Sequence, residues 1–324
     1  MTTFDTTTTE RGTAPGPWPF TGREDELELV RRSVTAGRPG LVITGPAGRG
    51  KTRLAAEALR NADHVRVTGT PESRHLPFAA FAHLLPEPVT LHRALQLLAG
   101  VRLLVVDDAH LLDDASAALV HQLAVHGRTR LLAVVTDGTA PPEAVARLWT
   151  GELLPRLALD ALSREDTADL LTAAVGTAPE PLTAGRLHRL CRGDLRLLRD
   201  LLGAVRARGA VGTVPGTGEW SWRGPVPVTE TLRERTAPVL GRLTRDERET
   251  LERLAFAEPL PLDLDADPAG LDLDVLERLE SDGLLRVGDD GAARLVHPLH
   301  GPVLRATAGR LRARRLTRVP GGCG

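Results

Sequence analysis

"LVITGPAGRGKTRLAAEAL", residues 41–59, holds Lys51, the only lysine among the chain's 41 lysines and arginines. Arginine supplies generic positive charge everywhere else. A lysine kept against that background marks a place where a broad guanidinium fork does not fit and a slender ammonium does. The neighbours say why. Gly45, Pro46, Ala47, Gly48, Arg49, Gly50, Lys51 and Thr52 complete G-x-x-x-x-G-K-[ST], directly after an apolar run and at the opening of a helical pattern. Glycines let backbone N–H groups close around phosphate oxygens with no Cβ in the way. The positive end of the new helix adds to the attraction. In such a loop the lysine reaches the β- and γ-phosphates and the Thr52 hydroxyl faces Mg²⁺. The expected ligands are therefore ATP or ADP, with Mg²⁺.

Working outward, apolar runs alternate with helical patterns. Residues 41–44, 64–69, 102–108, 130–138 and 154–162 read as strands, with helices such as 53–60 and 115–127 between most of them. That alternation argues for a parallel sheet covered by helices. "RLLVVDDAH" (102–110) ends a strand with Asp107, placing a carboxylate at the carboxyl edge of the sheet, where it is expected to serve the Mg²⁺ shell. Asp108 follows and is the candidate to polarise an attacking water. His110 reads as a polar residue at a strand end.

The remaining chain divides by composition. Residues 1–19 are rich in Thr, Gly and Pro and read as a disordered arm. The P-loop domain is expected over 20–162, opened by a capping box at Thr21 and Glu24. A second capping box at Ser163 and Asp166 opens an all-helical block, 163–208. A Gly/Pro-rich linker spans 209–227. Residues 228–300 give amphipathic helices and a hairpin candidate turning at Asp289, Asp290 and Gly291, the pattern of a winged-helix domain. Residues 301–324 are expected as the start of a truncated helical-repeat region.

Composition limits the function. The net charge of −1 creates no global field for nucleic acid or membrane. Two cysteines, Cys191 and Cys323, make neither a metal spacing nor a disulfide framework. No apolar run reaches the ~18 residues of a membrane span, and "MTTFDTTTTE" lacks the features of a signal peptide. The cytoplasm is the default location.

The ordered set "FTGREDEL", "GPAGRGKTRL", "LPFAAFAHLLP", "LLVVDDAHLLDDASAALVHQLA", "LALDALSREDTADLL", "LHRLCRGDLRLLRDLL", "WSWRGPVPVTETL" and "RLVHPLHGPVLRA" resembles the N-terminal half of the large ATP-binding LuxR-type transcriptional regulators of high-GC bacteria. These belong to the STAND signalling NTPases, related to the AAA+ group. The resemblance covers roughly residues 18–318. It implies a helical lid and a winged helix closing over ADP or ATP. It also implies that Arg23 lies near the nucleotide and that His297 contacts the ADP phosphates. Taken as residues alone, Arg23 reads equally as a solvated helix-start charge, and His297 as a buried structural histidine. Two positions depart from the resemblance. Relatives carry an arginine after the fourth strand, where this chain has Thr136 and Asp137. They carry Gly-Asn-Pro in the lid, where this chain has Gly193, Asp194 and Leu195. The first bears on hydrolysis and the second on how the lid meets the nucleotide.

Relatives continue to a helix-turn-helix that binds DNA. The arginines Arg305, Arg310, Arg312, Arg314, Arg315 and Arg318 read as a solvated helix face whose packing partner is absent. The helix before the hairpin carries Asp272, Asp274, Glu277, Glu280 and Asp282, a face that repels phosphates. No direct DNA binding is expected. Expected partners are an adenine nucleotide and a second copy or a full-length relative. Three functions compete: a nucleotide-state switch, an AAA+-type ATPase with real turnover, and a non-enzymatic remnant.

Overall fold

The computed structural model describes residues 18–35, 37–86, 88–262 and 271–317. Most of the expected arm (1–17), Arg318 and Cys323 lie outside the described residues. The five expected strands all form: β1 Gly40–Gly45, β2 Val65–Thr68, β3 Leu103–Asp107, β4 Arg130–Thr136 and β5 Arg156–Ala158. They make one parallel sheet in the order β2-β3-β4-β1-β5. The inner strands are continuous apolar runs because both faces are covered. Successive side chains point to opposite faces. Leu41 and Ile43 of β1, with Leu103, Val105, Leu132 and Val134, meet helices α1 (Glu24–Ser33) and α2 (Lys51–Ala58). Val42, Leu104, Val106, Leu131 and Ala133 meet α3 (Leu91–Leu98), α4 (Asp114–His126) and α5 (Glu143–Thr150) on the other face.

The opening capping box does not form. Arg23, not Thr21, is the N-cap of α1, and it makes no side-chain cap. Gly22 takes a positive φ of 71°, which turns the chain so that its own N–H meets Glu24 Oε1 at 3.2 Å. The box at Ser163 and Asp166 forms in full at the start of α6 (Arg164–Val175).

After α6 come α7 (Pro181–Cys191) and α8 (Leu195–Ala207). The stretch 209–227, expected as a linker, contains the hairpin β6 (Val211–Thr213) and β7 (Trp220–Trp222). Trp220 and Trp222 are 3% and 2% exposed, and the Arg186 guanidinium lies 3.9 Å from the Trp222 ring centroid. Pro215, Gly216 and Gly218 belong to the turn; the two tryptophans that follow it on β7 are core residues. Next follow α9 (Glu230–Leu240), α10 (Arg245–Ala257), β8 (Leu260–Pro261), α11 (Leu273–Ser281), β9 (Leu285–Val287), β10 (Ala292–Leu295), α12 (His300–Thr307) and α13 (Arg310–Thr317). The strands make an antiparallel sheet, β8-β10-β9, with the expected turn at Gly291. One apolar cluster runs without a break from Leu162 and Leu171 through Leu201 and Trp222 to Leu251, Leu279 and Leu304.

The terminal arginine helix has a partner. Arg312 pairs with Glu252 and Glu249, Arg315 lies 3.4 Å from Glu249, and Arg305 donates to the Ala255 carbonyl. Much of the face expected to be solvated is an ion-paired contact with α10.

Candidate functional site

The parallel sheet carries its site at the carboxyl ends of β1, β4 and β3. Gly45 ends β1 opposite Thr136 of β4, and β3 beyond it ends in Asp107. The loop 45–50 then folds back into α2, whose N-cap is Gly50. Lys51 is 6% exposed. Its ammonium donates to the carbonyls of Gly45 at 2.7 Å and Pro46 at 2.8 Å, so the side chain runs back inside the loop. Burial holds its pKa below the ordinary lysine value; the carboxylates of Asp137, Asp108 and Asp107 pull the other way, and Arg196 adds to the lowering.

Thr52 Oγ1 donates to Asp107 Oδ1 at 3.0 Å, so a hydroxyl and a carboxylate stand side by side at the foot of the phosphate loop. Mg²⁺ takes oxygen ligands and is held by one or two carboxylates or hydroxyls completed by phosphate and water. The Thr52 and Asp107 pair fits that requirement. Among the described residues no group of three or more His, Cys, Asp or Glu side chains is placed to hold a metal alone. Asp108 adopts a left-handed φ of 46°, accessible to aspartate. His110 accepts the Thr136 N–H on Nδ1 at 3.3 Å, and burial pushes its pKa down. Its role is to tie the end of β3 to β4.

A cavity of about 580 Å³ opens from the loop, within the usual range for a small-molecule site. Ala47, Gly48, Arg49, Gly50, Lys51, Thr52, Arg23 and Asp108 all line it. Arg23 is 7% exposed, bonded to Glu26 at 2.7 Å and to the Asp160 carbonyl. Its Nε and the nearby Thr21 hydroxyl are buried without partners. Arg23 is thus a buried wall residue, not a solvated helix-start charge. His297 is not among the lining residues. Its Nδ1 accepts the Leu299 N–H at 3.2 Å and its ring stacks on His300 at 5.0 Å.

The far wall shows what the sequence left unread. Trp18, Pro19 and Phe20 line it, so the expected arm ends inside the cavity wall. Leu162, Leu170 and Leu195 complete an apolar end, and Arg196 and Arg199 of α8 face in as well. No spacing rule joins residues this far apart; only the amphipathic pattern of α8, with arginines one turn apart, carries a signal.

The helical block grips the loop directly. Leu195 N–H donates to the Gly48 carbonyl at 2.9 Å, and Arg49 Nη1 donates to the Arg192 carbonyl at 2.7 Å. Gly48 has φ 81°, and a Cβ there would lie 2.2 Å from Asp194 Oδ1. Asp194 caps α8 through the Arg196 and Leu197 N–H groups and pairs with Arg235 of α9 at 2.8 Å. The phosphate loop, the α7–α8 turn and α9 therefore meet at one carboxylate.

Residues 19–96 match the AAA ATPase domain. The match takes in Phe20, α1, β1, the phosphate loop, α2 and β2, so this part of the chain is an AAA-type P-loop module with an ATP-binding loop. No curated protein matches the chain. Among solved structures, it is similar to Cdc6p from Pyrobaculum aerophilum, at 15% identity, 94% coverage of this chain, 97% of that one and a TM-score of 0.49. It is also similar to a RuvB variant from Thermotoga maritima, at 18% identity, 90% coverage of this chain, 97% of that one and a TM-score of 0.41. Among the described residues no helix is long and apolar enough to cross a membrane.

Proposed function

We propose that the chain is the ATP/ADP-binding regulatory module of a STAND-type LuxR-family regulator. In this reading α6–α8 are the lid and residues 228–300 are a winged-helix unit that works as a nucleotide-state lever. The observation that carries it is the junction at Asp194, where the loop that receives phosphates is hydrogen-bonded to the helical block and, one ion pair on, to α9. A ligand shifts an equilibrium between two arrangements only by binding them unequally. The junction gives each arrangement different contacts with the phosphate end of the same ligand.

In this site backbone N–H groups of 47–52 and the Lys51 ammonium hold the β- and γ-phosphates, and Arg196 and Arg199 add positive charge from the lid. The apolar end formed by Trp18, Phe20, Leu162 and Leu170 takes the base. Thr52 and Asp107 would hold Mg²⁺, which when bound neutralises charge on the phosphate oxygens. Asp108 is the candidate base. His297 lies outside this cavity, so a phosphate contact from it requires the third block to close further.

The test is simple. Protein purified without added nucleotide should release ADP on denaturation, and Lys51→Ala should abolish that retention. Absence of any adenine nucleotide in the wild-type supernatant would count heavily against a switch. A second reading, an AAA+-type ATPase with real turnover, is favoured by the match to the AAA ATPase domain and by Asp108 at the cavity. Steady hydrolysis well above ~1 per second would select it.

A further inference from the structure

Asp107, the carboxylate beside Thr52, already accepts three hydrogen bonds. Its Oδ1 accepts the Thr52 hydroxyl at 3.0 Å and the Asp108 N–H at 3.1 Å, and its Oδ2 accepts Arg66 Nη2. Arg66 comes from the neighbouring strand β2, where Thr68 is the direct register partner of Asp107. Two residues earlier on the same face, Arg66 reaches along the strand to the carboxyl edge. The Asp107 side chain is 5% exposed, whereas that of Arg66 is 46% exposed. The pair is thus a buried anion with a half-exposed cation laid over its outer oxygen. A carboxylate buried at a strand end keeps its charge only with partners of this kind. Charge of this kind does matter to a metal ion that must share the same carboxylate.

We propose that Arg66 is a resident counter-cation for Asp107 that makes nucleotide binding at this site weakly dependent on Mg²⁺. The inference rests on the nucleotide reading and adds the residue that sets its metal linkage. With Arg66 in place, Asp107 presents no uncompensated negative charge to the nucleotide phosphates, so they can dwell on the Lys51 loop without a metal. The carboxylate that with Thr52 would hold Mg²⁺ is already neutralised by Arg66 and would offer the ion less charge. Removing Arg66 reverses both effects. Asp107 repels metal-free phosphates, and it attracts Mg²⁺ more strongly. Arg66 is a positioning residue in this scheme, acting through Asp107.

Fluorescent ADP is titrated into nucleotide-stripped protein in excess EDTA and again in millimolar Mg²⁺, for wild type, Arg66→Gln and Arg66→Lys. The ratio of the two affinities should be within about threefold for wild type and Arg66→Lys. For Arg66→Gln it should widen by about tenfold, the size of one charge acting over several ångströms in a partly wet site. A merely structural arginine would weaken both affinities together and leave the ratio unchanged, which overturns the proposal. A second arm needs no nucleotide. Mg²⁺ at 10 mM should leave the melting temperature of the wild type unmoved and raise that of Arg66→Gln by about 2 °C or more. Equal responses of the two proteins overturn the proposal even if ADP never binds. Absence of ADP binding together with the expected Mg²⁺ response refutes the nucleotide reading and leaves only the effect of Arg66 on Mg²⁺ at Asp107.

Discussion

Lys51 is held by the loop it serves. Its ammonium bonds two carbonyls of that loop from inside, at 2.7 and 2.8 Å. A guanidinium carries the same charge but needs a wider channel and five donor directions. Lys51→Arg is therefore expected to weaken ADP binding by at least about tenfold while conserving charge, read by fluorescence titration against the wild type. Full binding by Lys51→Arg would show that the lone lysine has no steric cause. The same residue illustrates what a sequence can carry. A motif of eight contiguous residues was legible because its geometry is local. Arg23 was legible only as a choice between two roles, since its deciding contact, the Asp160 carbonyl, is 137 residues away.

At the scale of elements, the turn between α7 and α8 connects the blocks, and the charge of Arg192 in that turn acts on His297 and His300 at the start of α12. Gly48→Ala would place a Cβ 2.2 Å from the Asp194 carboxylate at a φ unfavourable to alanine. A stability loss of about 1–3 kcal/mol is expected. Asp194→Ala alone removes the α8 cap for about 1 kcal/mol. The double variant should recover about 1 kcal/mol relative to the sum, because the two residues collide only when both side chains are present. Strict additivity in urea denaturation would mean that the lid turn does not rest on the loop. At α12, burial first, then the charges of His300 and Arg192, push the His297 pKa down to about 4 from its ordinary 6.5. The His300 pKa is lowered too, by burial and by Arg192. A folded-state value below the unfolded one means that protonation favours unfolding. Stability is then complete above about pH 6.5 and is lost as the pH falls towards 4. After allowance for solvent, the loss through His297 is on the order of 1–2 kcal/mol. It should appear as a lower urea midpoint at pH 4.5 than at pH 7, with a shallower pH slope in His297→Gln. Equal slopes in the two proteins would remove His297 as the cause. The strands were legible because a doubly covered parallel sheet writes unbroken apolar runs. The hairpin at 211–222 was not, because Gly and Pro in its turn outweighed two tryptophans whose burial depends on the distant helix α7.

Across the whole molecule, two bodies of packing are joined at the cavity beside the phosphate loop. The sheet and its five helices form one. The helical block and the described elements from β7 to α12 share the other apolar cluster, with Trp222 inside it. Trp222→Ala should therefore cost about 3–5 kcal/mol and destabilise α6–α8 and the β8-β10-β9 sheet together. Hydrogen exchange that loosened only the 209–227 stretch would contradict a shared core. Nucleotide binding across the junction should couple the two bodies and sharpen thermal unfolding. The most direct measurement is isothermal calorimetry of ADP against nucleotide-stripped, folded protein in Mg²⁺. A phosphate loop with its lysine buried inside it predicts one site per chain with a Kd of about 1 μM or tighter, near −8 kcal/mol. Absence of heat at millimolar ADP and ATP, in protein that still unfolds cooperatively, would contradict it.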